Sequence, residues 1–113
     1  MINFREDWVL ILPSERKKSK RNGLDDYVLH WGKFVVLGDQ SDIEELAQEV
    51  NGFVESGRVP RAKYGPIPDG KYAILLYCDD RDKDDVEEVL AELGVEKYFW
   101  KYERETLREK LIK

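Results

Sequence analysis

Residues 72–78, YAILLYC, carry no charged side chain. A continuous apolar run of that length suits a strand covered on both faces, because a surface strand would alternate apolar with polar residues. The run is stopped by a burst of aspartates. Beyond it, Val86, Val89, Leu90 and Leu93 recur at helical spacing before Gly94, and Tyr98, Phe99 and Trp100 follow as a further apolar stretch. Residues 71–102 therefore read as strand, helix and strand, with residues 72–78 as a central strand around which the rest must pack.

A chain of 113 residues has room for one core, so residues 1–113 are expected to form a single domain. With 42% hydrophobic residues it is too apolar to stay disordered. Asn and Gln are limited to Asn3, Asn22, Gln40, Gln48 and Asn51, and this scarcity beside abundant Lys and Glu gives a thermophile-like composition. No apolar run reaches the roughly 18 residues of a membrane span, and charges interrupt the first residues where a signal peptide needs an apolar stretch. A cytoplasmic protein without a membrane partner is expected. Cys78 and His30 are the sole representatives of their types, which excludes an intrachain disulfide and a Cys/His zinc cluster within one chain.

Residues 8–12, WVLIL, end at Pro13 and suit a first strand. A basic loop follows and closes on Asn22-Gly23, a pair suited to positive φ, so residues 26–31 are expected to return as a second strand. Gly32 permits a bend into a third run, residues 33–37, giving a meander. Ser41 and Glu44 match a capping box, and Ile43, Leu46, Ala47, Val50, Phe53 and Val54 form one helical stripe ended by Gly57. Gly52 interrupts that helix, which suggests close packing against the sheet at its turn. Residues 58–70 hold three prolines, so a loop or an edge is expected there, and not a helix or a central strand. Residues 103–113 close the chain as a helix with Leu107 and Leu111 on one side. The expected fold class is α+β, a curved, mainly antiparallel sheet of about five strands with two or three helices packed on one face.

Net charge is −5 but uneven: residues 1–37 hold seven basic and five acidic residues, and the remainder is strongly acidic. A broad duplex-binding face is not expected, while a local anion site near the N-terminal segment is compatible with this pattern. Arg16, Lys17, Lys18, Lys20 and Arg21 are the densest positive charge, and Trp8, Tyr27, His30 and Trp31 lie near them in sequence. Cations for phosphates and aromatic planes for bases are what recognition of a nucleotide or single-stranded RNA uses. The competing expectation is a solvated loop beside core aromatics.

Asp80, Asp82 and Asp84 match the first ligands of an EF-hand, but Asp85 replaces its glycine and Ala91 its bidentate glutamate. Helix-starting carboxylates are the better account, and no metal or other cofactor is expected. His30 and Lys33 are weak acid–base candidates, since strand alternation points them oppositely unless Gly32 breaks the strand. Cys78, at the end of an apolar run, is expected to be buried and inert.

Residues 8–11, WVLI, with residues 33–65, KFVVLGDQSDIEELAQEVNGFVESGRVPRAKYG, residues 72–94, YAILLYCDDRDKDDVEEVLAELG, and residues 100–106, WKYERET, together resemble the basophilic-leukaemia-expressed protein family and its short prokaryotic relatives. The resemblance covers most of the chain and implies the fold of the cap-binding translation initiation factor 4E. Those factors hold methylated guanine between two Trp rings, with a Glu on the base edge. Tyr27 or Trp31 stands near the first ring, whereas residues 61–70 offer Tyr64 and Asp69 and no Trp. The resemblance thus implies a concave face suited to some ligand other than the cap. A lyase label attached to some members implies a Lys base and a His acid, for which Lys33 and His30 are the candidates.

The leading expectation is a small non-enzymatic binding domain that engages nucleotide or RNA phosphate through the basic loop, with Tyr27 or Trp31 as stacking surface. A protein–protein interaction domain and a His-dependent lyase are the alternatives.

Overall fold

The computed structural model describes residues 8–14 and 29–106. The chain forms a curved, antiparallel five-stranded sheet and two long helices. The strands are β1 (Val9–Ile11), β2 (Trp31–Gly38), β3 (Arg61–Ile67), β4 (Lys71–Asp79) and β5 (Phe99–Tyr102), in the spatial order β1-β3-β4-β2-β5. Helix α1 (Gln40–Glu55) joins β2 to β3, and α2 (Lys83–Glu92) joins β4 to β5.

β4 is the middle strand, hydrogen-bonded to β3 on one side and β2 on the other. Every residue from Ala73 to Asp79 is buried, as a run without polar alternation requires. Register aligns Ile11, Ala62, Leu76, Phe34 and Trp100 in one row across all five strands. These residues belong to the main core, which Ile43, Ala47, Val50 and Val54 of α1 and Val86, Val89 and Leu90 of α2 complete. Both helices therefore cover the same face of the sheet. Phe34 is the hub of its edge: its ring meets Tyr98 and Trp100 edge-on at 5.5 and 4.9 Å.

Several expectations are corrected. Among the described residues the expected meander is not seen: β1 pairs with β3, and β2 pairs with β4 and β5. Leu29 and His30 are helical, so the expected strand over residues 26–31 contributes Trp31 alone to β2 among the described residues. Gly32 does not bend the chain; it continues β2 and is small because Trp100 lies against it, a Cβ there falling 2.3 Å from the indole Cζ2. Residues 61–67 form a strand paired on both sides in spite of Pro66. Pro66 lies past the last β1 pairing among the described residues, where β4 is its one described neighbour. Asp39, and not Ser41, stands at the N-cap of α1, with no side-chain cap. Gly52 faces open space, not the sheet. The basic residues 16–21, Tyr27, Leu107 and Leu111 lie outside the described residues.

No described helix is long and apolar enough to cross a membrane.

Candidate functional site

The face of the sheet opposite α1 and α2 has a different composition. Its middle is Val35, Ala73, Leu75 and Tyr77, with Trp8, Trp31 and Ile67 packed around them. One transverse row of this face reads Arg61, Tyr77, Lys33, Lys101 across β3, β4, β2 and β5. The next row reads Leu10, Lys63, Leu75, Val35, Phe99. Four cations thus share one sheet face with four aromatic rings, Trp8, Trp31, Tyr77 and Phe99. Like charges on neighbouring strands repel, so such a row costs stability unless anions or aromatic rings offset it.

The Tyr77 ring is one offset. Arg61, Lys33 and Lys63 approach its centre to 4.9, 5.6 and 6.0 Å. Arg61 also lies 5.6 Å from the Trp31 ring, and Lys63 5.2 Å from that of Trp8. A cation over an aromatic face is drawn by the ring quadrupole, and more strongly where water is excluded. Trp8 reaches this position because Gly65, its neighbour across the strands, has no side chain; a Cβ there would meet the indole at 2.7 Å.

Lys33 is buried, and its ammonium forms an ion pair with Glu103 at 2.9 Å and donates to Thr106 Oγ1 at 3.1 Å. Residues just past β5 therefore reach back over this face. Arg61 differs: no carboxylate pairs with it among the described residues, and its Nε is sealed from solvent without a hydrogen-bond partner. A guanidinium presents five donors in a planar fork, and a buried donor left unpaired is costly.

His30 belongs to a separate cluster. Its Nδ1 lies 2.9 Å from Asp80 Oδ1, and Tyr102 donates its hydroxyl to Asp80 Oδ2 at 3.0 Å. The Tyr102 hydroxyl is held above its ordinary pKa, first by that hydrogen bond and then by desolvation. Lys33 and His30, the two weak acid–base candidates, share no hydrogen bond or ion pair among the described residues: His30 pairs with Asp80 and Lys33 with Glu103. Atoms of His30, Asp79 and Asp80 lie within 4.8 Å of one another. Asp79 is already engaged by Arg81, through its backbone N–H and its guanidinium, and Asp80 by His30 and Tyr102. Asp84 and Asp85 occupy the first turn of α2, at the positive end of its dipole. Cys78 is fully buried, and burial, followed by the charges of Asp82 and Asp79, pushes its thiol up to about 12, which removes it as a nucleophile.

No protein-family model, curated protein or solved structure matches the chain. The chemistry available is what these side chains supply.

Trp31 is the one residue of the expected ligand-binding set that lies within the described residues, and it stands at the edge of the cationic face. Tyr64 packs against the main core and Asp69 sits in the exposed turn Pro68–Gly70, so neither faces the cations. Sequence reading missed Arg61, Lys63 and Lys101. The signal was present in the alternation of Arg61, Ala62, Lys63 and Tyr64, cation on one face and apolar on the other, but three prolines within residues 58–70 argued against a strand. Two clefts among the described residues lie elsewhere. One, of about 430 Å³, is lined by Glu44, Gln48, Asn51 and Glu55 of α1 and by β1; the other, of about 410 Å³, is lined by Asp82, Asp85 and Glu88 with Arg58 as its one cation, and Arg58 is paired with Glu92. Both are acidic, which suits neither to a phosphate.

Proposed function

We propose that this chain is a small non-enzymatic binding domain for a ligand that carries phosphate and an aromatic base, a nucleotide or single-stranded RNA, and that the ligand lies on the sheet face opposite the helices. The observation that carries this reading is the Arg61 guanidinium, stacked beside Trp31 and Tyr77 with no carboxylate partner among the described residues. Lys33, Lys63 and Lys101 supply further positive charge on the same face. Arg16, Lys17, Lys18, Lys20 and Arg21 add phosphate contacts in this proposal, and Tyr27 a second stacking surface. Kinship with the basophilic-leukaemia-expressed proteins and the factor 4E fold belongs to the same proposal, supported by an antiparallel sheet with both long helices on one face.

The test is titration with short single-stranded RNA and with nucleotides at about 50 and about 200 mM salt, since phosphate contacts weaken as counterions compete. Salt-sensitive binding that falls when Arg61 or the residues 16–21 cations are neutralised is expected. Absence of binding at low salt, or binding indifferent to both sets of substitutions, would sink the proposal.

A second reading, a protein-interaction domain, draws on Leu37 and Phe99, which are 55% and 50% exposed. Phe99 pairs with Val35, two residues before Leu37, which places both on the cationic face beside the edge strand β5. A pull-down with wild type and with a Leu37→Ser, Phe99→Ser variant separates this reading from the first.

A further inference from the structure

Three cationic groups gather around one ring centre, none more than 6.0 Å from it. Around Tyr77 they form a cluster, beyond which Lys101 extends the row onto β5. A phosphodiester strand spreads single charges along a line and is followed by a groove of cations, whereas a terminal phosphate monoester concentrates nearly two charges at one point at neutral pH, its second pKa lying near ~6. Arg61 adds a geometric reason. Its guanidinium is flanked by the Trp31 and Tyr77 rings, and its Nε edge is closed to solvent. A strand passing over it needs an exit on both sides for the neighbouring sugars, while a terminal phosphate needs one. The planar fork of a guanidinium also matches two phosphate oxygens at once.

We propose that the subsite centred on Arg61, with Lys33 and Lys63 beside it, takes a terminal phosphate monoester of the nucleotide or RNA end, and not an internal phosphodiester. The inference rests on the binding role proposed above. The ligand's base then stacks on the indole surface next to the phosphate, Trp31 being the ring that Arg61 already touches. Glu103 is paired with Lys33, so an anion entering the site must compete with that carboxylate.

The experiment compares adenosine 5′-monophosphate with its methyl ester, which keeps base and sugar but carries a single charge, by titration calorimetry at about pH 7 and low salt. The wild-type chain should prefer the monoester by about tenfold or more, the yield of one or two charge-assisted hydrogen bonds. The preference should fade as pH falls through the second ionisation of the phosphate. Arg61→Gln should abolish the preference, and Arg61→Lys, which keeps the charge but loses the fork, should reduce it in part. Amide NMR spectra of both variants establish that they fold. Salt-sensitive binding of both probes with equal affinity overturns the terminal-phosphate inference and leaves the binding role standing. Binding of neither probe, nor of a 5′-phosphorylated oligonucleotide, overturns both. A preference that survives Arg61→Gln in the folded protein overturns the assignment to this subsite.

Discussion

The guanidinium of Arg61 lies 4.9 Å from the ring centre of Tyr77, the residue directly opposite it on the neighbouring strand β4. Because Tyr77 is buried, the contact forms in a poorly hydrated setting, where a cation over a ring contributes about 0.5–2 kcal/mol. A double-mutant cycle of Arg61→Met and Tyr77→Leu, followed by urea denaturation, should give a coupling energy in that range. Coupling near zero would show that the two side chains do not act on each other in solution.

Glycines make the next contrast. Gly32 has Trp100 and the Lys101 carbonyl against it, so Gly32→Ala should cost about 3 kcal/mol or prevent folding, since neither an indole wedged in the core nor a strand backbone can retreat cheaply. Gly52 meets nothing within 4 Å and sits exposed inside α1, so Gly52→Ala should stabilise by about 0.5–1 kcal/mol. Chemical denaturation of both variants checks the pair, and equal effects would contradict the packing described for β2 and β5.

Why the sequence foretold some of this and not the rest follows from the range over which each signal acts. The buried run of β4, the stripe of α1 and the stop at Gly94 are local patterns, and each element appears where its pattern lies. Pairing is not local. Nothing within residues 8–12 states that β1 lies beside β3, a strand some fifty residues away, so the hairpin suggested by Asn22-Gly23 was the more economical reading. The candidate site suffers from the same limit. Arg61, Tyr77, Lys33 and Lys101 form one row only because four strands from three parts of the chain align in register. A basic run such as residues 16–21 is conspicuous in sequence, while cations spaced by alternation on separate strands are not.

Alkaline stability follows from Cys78. Its thiol is raised from the ordinary value of 9.0 to about 12 in the folded chain by burial. Above pH ~9 the unfolded chain therefore releases a proton that the folded chain retains, and stability falls as pH rises from about 9 towards about 12. Below pH ~9 the thiol is protonated in both states and contributes no slope. The full effect is ~4 kcal/mol at most. Tyr98 and Tyr102, also raised by their hydrogen bonds to Glu87 and Asp80, act in the same direction. Urea midpoints at about pH 8 and about pH 10.5 should differ less in Cys78→Ala than in the wild type; identical slopes would mean that the thiol is not sealed.

The Asp80 carboxylate joins His30 to Tyr102. Asp80→Ala should lower the alkaline titration of Tyr102 towards the ordinary phenol range and cost about 1–2 kcal/mol, because two partly buried groups lose their partner. Tyrosinate absorbance, with Tyr102→Phe to identify the signal, measures the first effect. A Tyr102 titration unchanged by the substitution would contradict the contact.

Ligand is proposed to bind the sheet face opposite the helices, at Arg61. The most direct measurement is NMR titration of the ¹⁵N-labelled chain with adenosine 5′-monophosphate at low salt, following the Arg61 Nε–H and the indole N–H signals. Arg61 Nε, the Trp31 indole and the amides of Lys33 and Tyr77 should shift together and saturate with one affinity, while α1 and α2 stay unmoved. Shifts confined to the clefts beside those helices, or no shifts at all, would contradict it.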